Sequence, residues 1–205
     1  MVLYELEDCP FCERLRLALQ LHEIRHERRH IRELGDQGVT QANPLAEAPV
    51  MQVDGAWMFD SMLIAADLLA GQVCSKDDWR VVSQCARLWD GTVVPAWRRS
   101  VLGRGLEDPE RRRALASLRY LQTHLPPVFD RVGALVVSVF GPHVLRMDFL
   151  KDHGEIAREP EAWSIVGWLL EAMDRHGPWA VALRSVCVPR ERFVAQFNRL
   201  SKAMA

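Results

Sequence analysis

The 205-residue sequence predicts an α/β unit of order β-α-β-α-β-β-α followed by an all-α unit. Three observations carry this. Apolar runs of strand length alternate with helical periods up to about Gly71. A tight-turn dipeptide, Asp54-Gly55, joins two of the later strands. Beyond a polar stretch, Gln72 to Asp78, every patterned segment has helical spacing. The expected division is 1–71, a linker at 72–78, and a helical domain at 79–205.

The first strand is predicted at Val2 to Leu6, apolar enough for a central position. A helix follows from Pro10 to Glu23, with Phe11, Leu15, Ala18, Leu19 and His22 on one face and Glu13, Arg14 and Arg16 largely off it. His26 to Ile31 is strongly charged, which suits an edge strand. Arg32 to Gln41 reads as a weak helix holding Gly35 and Gly38. A strand begins after Pro49, turns at Asp54-Gly55 and returns over Ala56 to Phe59. Asp60-Ser61 opens a helix over Met62 to Ala70, with Gly71 as its stop.

In the second unit, a helix starts near Asp78, and Pro95 should kink or end it. Asp108-Pro109 marks a start with Asp108 as N-cap, and Pro126-Pro127 an interruption. A helix from Val128 to Phe140 should stop at Gly141-Pro142. Others are expected over His143 to Ile156, Pro160 to Arg175 and Pro189 to Met204.

Between the first strand and the first helix stands Cys9-Pro10-Phe11-Cys12. Proline suits the first helical position, where its missing N–H is no loss, so Cys9 becomes the N-cap. Its sulfur faces unpaired amides and the positive end of the helix dipole, which favour the thiolate nucleophile. Cys12, three residues on, can reach Cys9 and close a disulfide. In this context the pair reads as a thioredoxin-like redox motif. A zinc site would need a second ligand pair, and Cys74, Cys85 and Cys187 stand apart.

Composition narrows the rest. Hydrophobic residues make up 49% and charged residues 26%, ordinary for a globular chain. A net charge of −1 gives no global field for nucleic acid or an anionic membrane. Five cysteines at scattered spacing argue for a reducing compartment. With no signal peptide and no apolar run of membrane-spanning length, a cytoplasmic protein is expected. His22, His26 and His30 would share a helical face, but the predicted strand breaks it and no metal is expected. Arg98-Arg99 and Arg111-Arg112-Arg113 read as solvated helix faces, and Trp89, Trp97, Trp163 and Trp168 as core.

These motifs resemble the glutathione transferase superfamily: a thioredoxin-like domain, a linker and an all-helical domain. Cys-Pro-Phe-Cys is closest to the bacterial two-domain glutaredoxins. Cys9-Pro10-Phe11 also resembles the omega-class glutathione transferases, which use a catalytic cysteine. The resemblance implies glutathione as co-substrate, no metal, and a small-molecule or protein disulfide as second substrate. It implies Cys9 and Cys12 as catalytic, with Pro10, Phe11, Pro49, Val50, Asp60 and Ser61 at the glutathione site. Pro49 would be the cis-proline, with the Val50 backbone pairing with the cysteinyl part of glutathione. Ser61 would hold the γ-glutamyl carboxylate at a helix N-terminus. Asp60 would take the γ-glutamyl ammonium, directly or across a subunit interface, since the family is usually dimeric.

The sequence departs from the family in having Asp60 for Glu, Ala48 for Val, and Leu145 where the helical-domain capping box, ending at Asp148, has a hydroxyl residue. The leading expectation is a glutathione-dependent thiol–disulfide oxidoreductase. The alternatives are a transferase conjugating or reducing an electrophilic small molecule, and a non-catalytic binding module on the same fold.

Overall fold

The computed structural model describes residues 1–69, 74–152 and 159–204. The first unit runs β1 (Val2–Glu5), α1 (Pro10–Leu21), β2 (Glu27–His30), a 3₁₀ turn (Ile31–Leu34), α2 (Gly35–Ala42), β3 (Val50–Val53), β4 (Ala56–Phe59) and α3 (Ser61–Leu69). Its sheet has the order β2-β1-β3-β4. β1 pairs with β2 in parallel and with β3 antiparallel, and β3 pairs antiparallel with β4. The charged strand β2 is at the edge, as its composition predicts, and all four of its residues are exposed. Asp54 and Gly55 both take positive φ, 48° and 86°, closing the hairpin in the manner their residue types favour.

The second unit runs α4 (Lys76–Leu88), a π-helical stretch (Trp89–Val93), α5 (Val94–Val101), α6 (Asp108–His124), α7 (Pro126–Phe149), α8 (Pro160–Arg175), α9 (Gly177–Val186) and α10 (Arg190–Met204). α4 begins within the stretch expected as linker. Ser75 accepts a hydrogen bond from the Asp78 N–H and starts α4 at Lys76. Residues 70 to 73, including the expected Gly71 stop, lie outside the described residues, as do residues 153 to 156 of the helix expected to end at Ile156.

Several expected breaks are absorbed. Pro95 does not end the helix. The backbone widens into the π stretch just before it, and Pro95 falls in the first turn of α5, where a missing N–H costs little. Gly141-Pro142 does not stop α7, which runs on to Phe149. Gly141, Pro142 and His143 are buried there, and the packing around them outweighs the lost ladder bond. The kink falls instead at Val132, with φ −134° and ψ 31°. Leu145 and Asp148 therefore lie inside a helix, and no capping box forms there. The N-cap of α6 is Glu107 rather than Asp108. Helix α9, which begins at Gly177-Pro178, is an element the sequence reading missed.

α7 is long and apolar enough by length and composition to cross a membrane, a property the sequence reading missed. Some 78% of its most apolar window is buried within the protein, as the central helix of the second unit. Trp89 and Trp97 join the same core, while Trp163 and Trp168 pack against it half-buried.

α1 is the hinge of the architecture. One side packs Leu15 and Leu19 on Leu3, Met51 and Ile64 from the sheet and α3. Burying each such side chain stabilises the fold by about 1.5–3 kcal/mol. Other sides meet α7 and α9. Every residue from Cys12 to Leu19 is buried, so Glu13, Arg14 and Arg16 do not form the solvent face that their charge suggests.

Candidate functional site

Cys9 is the N-cap of α1, with extended backbone (φ −84°, ψ 120°), and Pro10 opens the helix. Its side chain caps no amide and is half-buried. Its thiol pKa is lowered to about 6, first by the hydrogen bond from the Cys12 thiol. Burial opposes this, while the Cys12 and Phe11 amides and the charge of Arg146 add to it. Cys12 is fully buried and accepts a hydrogen bond from the Leu6 N–H at 3.4 Å. Its own pKa is raised, chiefly by that hydrogen bond with Cys9 and then by burial. The division is physical: Cys9 holds the negative charge and Cys12 keeps its proton and donates it in a hydrogen bond.

The turn bearing Cys9 is clamped from the helical unit. Arg146 of α7 donates to the Asp8 carbonyl at 3.0 Å and makes a two-pronged ion pair with the buried carboxylate of Glu13. Glu13 also accepts the Val188 N–H at 2.9 Å. These bonds span more than a hundred positions of sequence, and nothing local in the sequence announces them.

Beside this turn lies a cleft of about 650 Å³ between the first unit and α4 with its π stretch. Ala48 and Pro49 form one wall, Asp60, Ser61 and Met62 another, and Ser83, Arg87, Asp90 and Gly91 the far side. The Ala48–Pro49 bond is cis, and the Cys9 sulfur lies 4.0 Å from the Ala48 carbonyl oxygen. Cys9 and Pro10 sit at the margin of the cleft rather than in its lining. Phe11 does line it, its ring edge-on to His143 at 5.1 Å and under the guanidinium of Arg14.

Val50 is fully buried at the start of β3, in register with Tyr4 on one side and Phe59 on the other. The carbonyl beside the cysteine belongs to Ala48. Asp60, at φ +70°, uses Oδ1 to cap α3, accepting from the Met62 N–H at 2.8 Å and the Leu63 N–H at 3.2 Å. Ser61 is buried in the first turn of α3.

The residues that sequence reasoning missed are Arg14 and Asp90. Arg14 is 1% exposed. It donates to the Val139 carbonyl at 3.0 Å, to Ser61 Oγ at 3.4 Å, and to both oxygens of Asp90 at 2.7 Å. The only available signal was an arginine just inside the helix that follows the cysteine motif.

Among the described residues no group of three or more His, Cys, Asp or Glu is placed to hold a metal ion. His26 bonds the Ile24 carbonyl, and His30 caps the 3₁₀ turn. Cys85 is buried, which pushes its thiol up to about 12, and Cys187 is raised for the same first reason. Arg98, Arg99 and Arg111 to Arg113 are exposed.

Residues 8–69, the span that carries Cys9, Pro49 and Ser61, match the family model described as glutathione S-transferase, N-terminal domain. A diazinon-metabolizing glutathione S-transferase of the silkworm, Bombyx mori, superposes with a TM-score of 0.67 at 15% identity, over 94% of this chain and 98% of the other. The chain has the glutathione transferase fold. A glutathione transferase of Drosophila melanogaster gives 0.65 at 19% identity over 98% and 97%. Glutathione transferase Omega 3C of Trametes versicolor gives 0.60 at 19% identity, over 100% of this chain and 92% of that one. The sequence finds no match among curated proteins. The cleft has Ser61 of the first unit in its lining and Asp90 of the second.

Proposed function

We propose that this protein is a glutathione-dependent thiol transferase, reducing mixed disulfides with Cys9 as its nucleophile. The observation that carries this is the Cys9 thiol held near a pKa of about 6 beside the cleft. At neutral pH such a group is mostly thiolate, and a thiolate near ambient pH in pKa is an effective attacking group.

The proposed steps balance as two exchanges. Cys9 thiolate attacks the glutathione sulfur of a glutathionylated substrate. A Cys9–glutathione disulfide forms, the substrate's sulfur–sulfur bond breaks, and the substrate leaves as a thiolate. A second glutathione thiolate then attacks that disulfide, releasing Cys9 thiolate and oxidised glutathione. Alternatively, Cys12 gives up its proton and attacks Cys9, releasing glutathione and leaving a Cys9–Cys12 disulfide. The full burial and raised pKa of Cys12 favour the first route. Ser61 holds the γ-glutamyl carboxylate, and the Ala48 backbone meets the cysteinyl part. A cytoplasmic setting, where thiols stay reduced, suits five free cysteines.

A second reading is reduction or conjugation of an electrophilic small molecule. The apolar side chains of Leu45, Phe59, Met62 and Leu63 around the cleft favour it. Paired assays separate the two. Turnover of a glutathionylated peptide without turnover of an aryl halide supports the thiol transferase. The reverse pattern, surviving in Cys9→Ser, supports conjugation by bound glutathione. No turnover of either and no glutathione binding would leave a binding module.

A further inference from the structure

The last helix reaches back to the turn that carries the nucleophile. Arg192 of α10 pairs with Glu7 Oε2 at 2.7 Å and with Asp8 Oδ2 at 2.9 Å, and these are the two residues immediately before Cys9. The Arg192–Glu7 pair spans 185 positions of sequence. Gln196, one turn further along α10, donates to the same Asp8 oxygen. Phe193 seats the helix beside them. Its ring lies 5.5 Å from the Arg146 guanidinium and 6.0 Å from the Phe149 ring, both on α7.

Carboxylates beside a thiol disfavour its ionised form, because like charges repel. Glu7 and Asp8 therefore oppose the thiolate that the start of α1 favours. Other charges around this turn are matched elsewhere. Arg146 is held by Glu13, and Arg16, which donates to the Glu7 carbonyl, lies 3.4 Å from Glu5. Cys12 keeps its proton, and His30 of β2 is within electrostatic reach of Glu7. Arg192 is the first cause that holds the Glu7 carboxyl below its usual range. Among the described residues it is the cation paired with both carboxylates. Its side chain is 51% exposed, and exposed ion pairs add little to stability, so its consequence lies in the charge it cancels. We propose that Arg192 is a positioning residue for the reaction: from the C-terminal helix it neutralises Glu7 and Asp8 and so keeps Cys9 in its nucleophilic form.

The inference rests on the reading of Cys9 as nucleophile and adds α10 to it. The test is the rate of Cys9 alkylation by iodoacetamide against pH, followed on the full chain by mass spectrometry of the Cys9 peptide. Arg192→Gln should move the midpoint up by about half a pH unit or more, the scale of an uncompensated charge near the surface. Arg192→Lys keeps the charge and should hold the wild-type midpoint. Adding Glu7→Gln and Asp8→Asn to Arg192→Gln should bring the midpoint back, although the ion pairs to α10 stay broken. A midpoint unmoved in Arg192→Gln overturns the inference and leaves the thiol transferase reading standing. So does a raised midpoint that the two neutral replacements fail to recover, since α10 would then act by shape alone. A wild-type midpoint like that of an ordinary thiol overturns both. If Arg192→Gln does not fold, Glu7→Gln decides. The Glu7 side chain is 71% exposed, and removing its charge should lower the midpoint. No change in that variant overturns the inference.

Discussion

The carboxylate of Glu13, in the first turn of the helix that carries both motif cysteines, is clasped by the guanidinium of Arg146 from α7. The two are 0% and 4% exposed. Arg146 reaches past this pair to the carbonyl of Asp8, the residue before Cys9. The helical unit thus holds the reactive turn from behind.

Removing one member of that pair should be costly. Arg146→Met leaves Glu13 as a buried charge whose remaining cation, Arg16, is 4.0 Å away, and a loss of about 3–5 kcal/mol is expected in urea unfolding. Pairing it with Glu13→Leu removes both charges and should recover part of that loss. Additive losses in the double variant would show that the two side chains are not coupled.

The Cys9 thiol should titrate near pH 6. Its alkylation rate should therefore rise through that pH and level off above about 7, whereas an ordinary thiol titrates near 9. The linked stability has a definite sign. A pKa lowered on folding stabilises the protein fully above the unfolded value of 9.0, and this is lost as pH falls towards about 6. Between pH 9 and 7, wild type should lose melting temperature relative to Cys9→Ala. A constant difference across that range would contradict the shift.

The Cys12 thiol is the largest cause of the low Cys9 pKa. Cys12→Ala removes that donor and should move the Cys9 alkylation midpoint upward. Cys12→Ser keeps a donor and should hold the midpoint closer to wild type. Cys12→Ser should also keep deglutathionylation, because a second glutathione resolves the intermediate, and lose most reduction of protein disulfides. Full activity on protein disulfides would make Cys12 a donor only.

Ser61 is both the first residue of α3 and an acceptor for Arg14. With Asp60 doing the capping, Ser61→Ala should leave most of the stability intact. Glutathione affinity should fall about tenfold or more, as for a hydrogen bond to a charged group. Calorimetry beside a thermal melt decides; a large drop in melting temperature with normal affinity would make Ser61 structural.

The sequence by itself determined what neighbouring residues decide. Asp54-Gly55 turns because both residues accept positive φ. Pro10 opens α1 and leaves Cys9 at its cap, because only there is a missing N–H harmless. The charges of β2 put it at the edge of the sheet. Tertiary structure decided what depends on distant partners. Glu13, Arg14 and Arg16 have the composition of a wet helix face, yet they are buried because Arg146, Asp90, Val139 and Val186 supply partners 76 to 170 positions away. Gly141-Pro142 has the composition of a helix end, yet α7 passes through it under the packing of its neighbours. Periodicity and turn chemistry report on a residue's own few neighbours. Where a charge finds its counterpart is a property of the folded chain, and that is why Arg14 and Asp90 could be found only there.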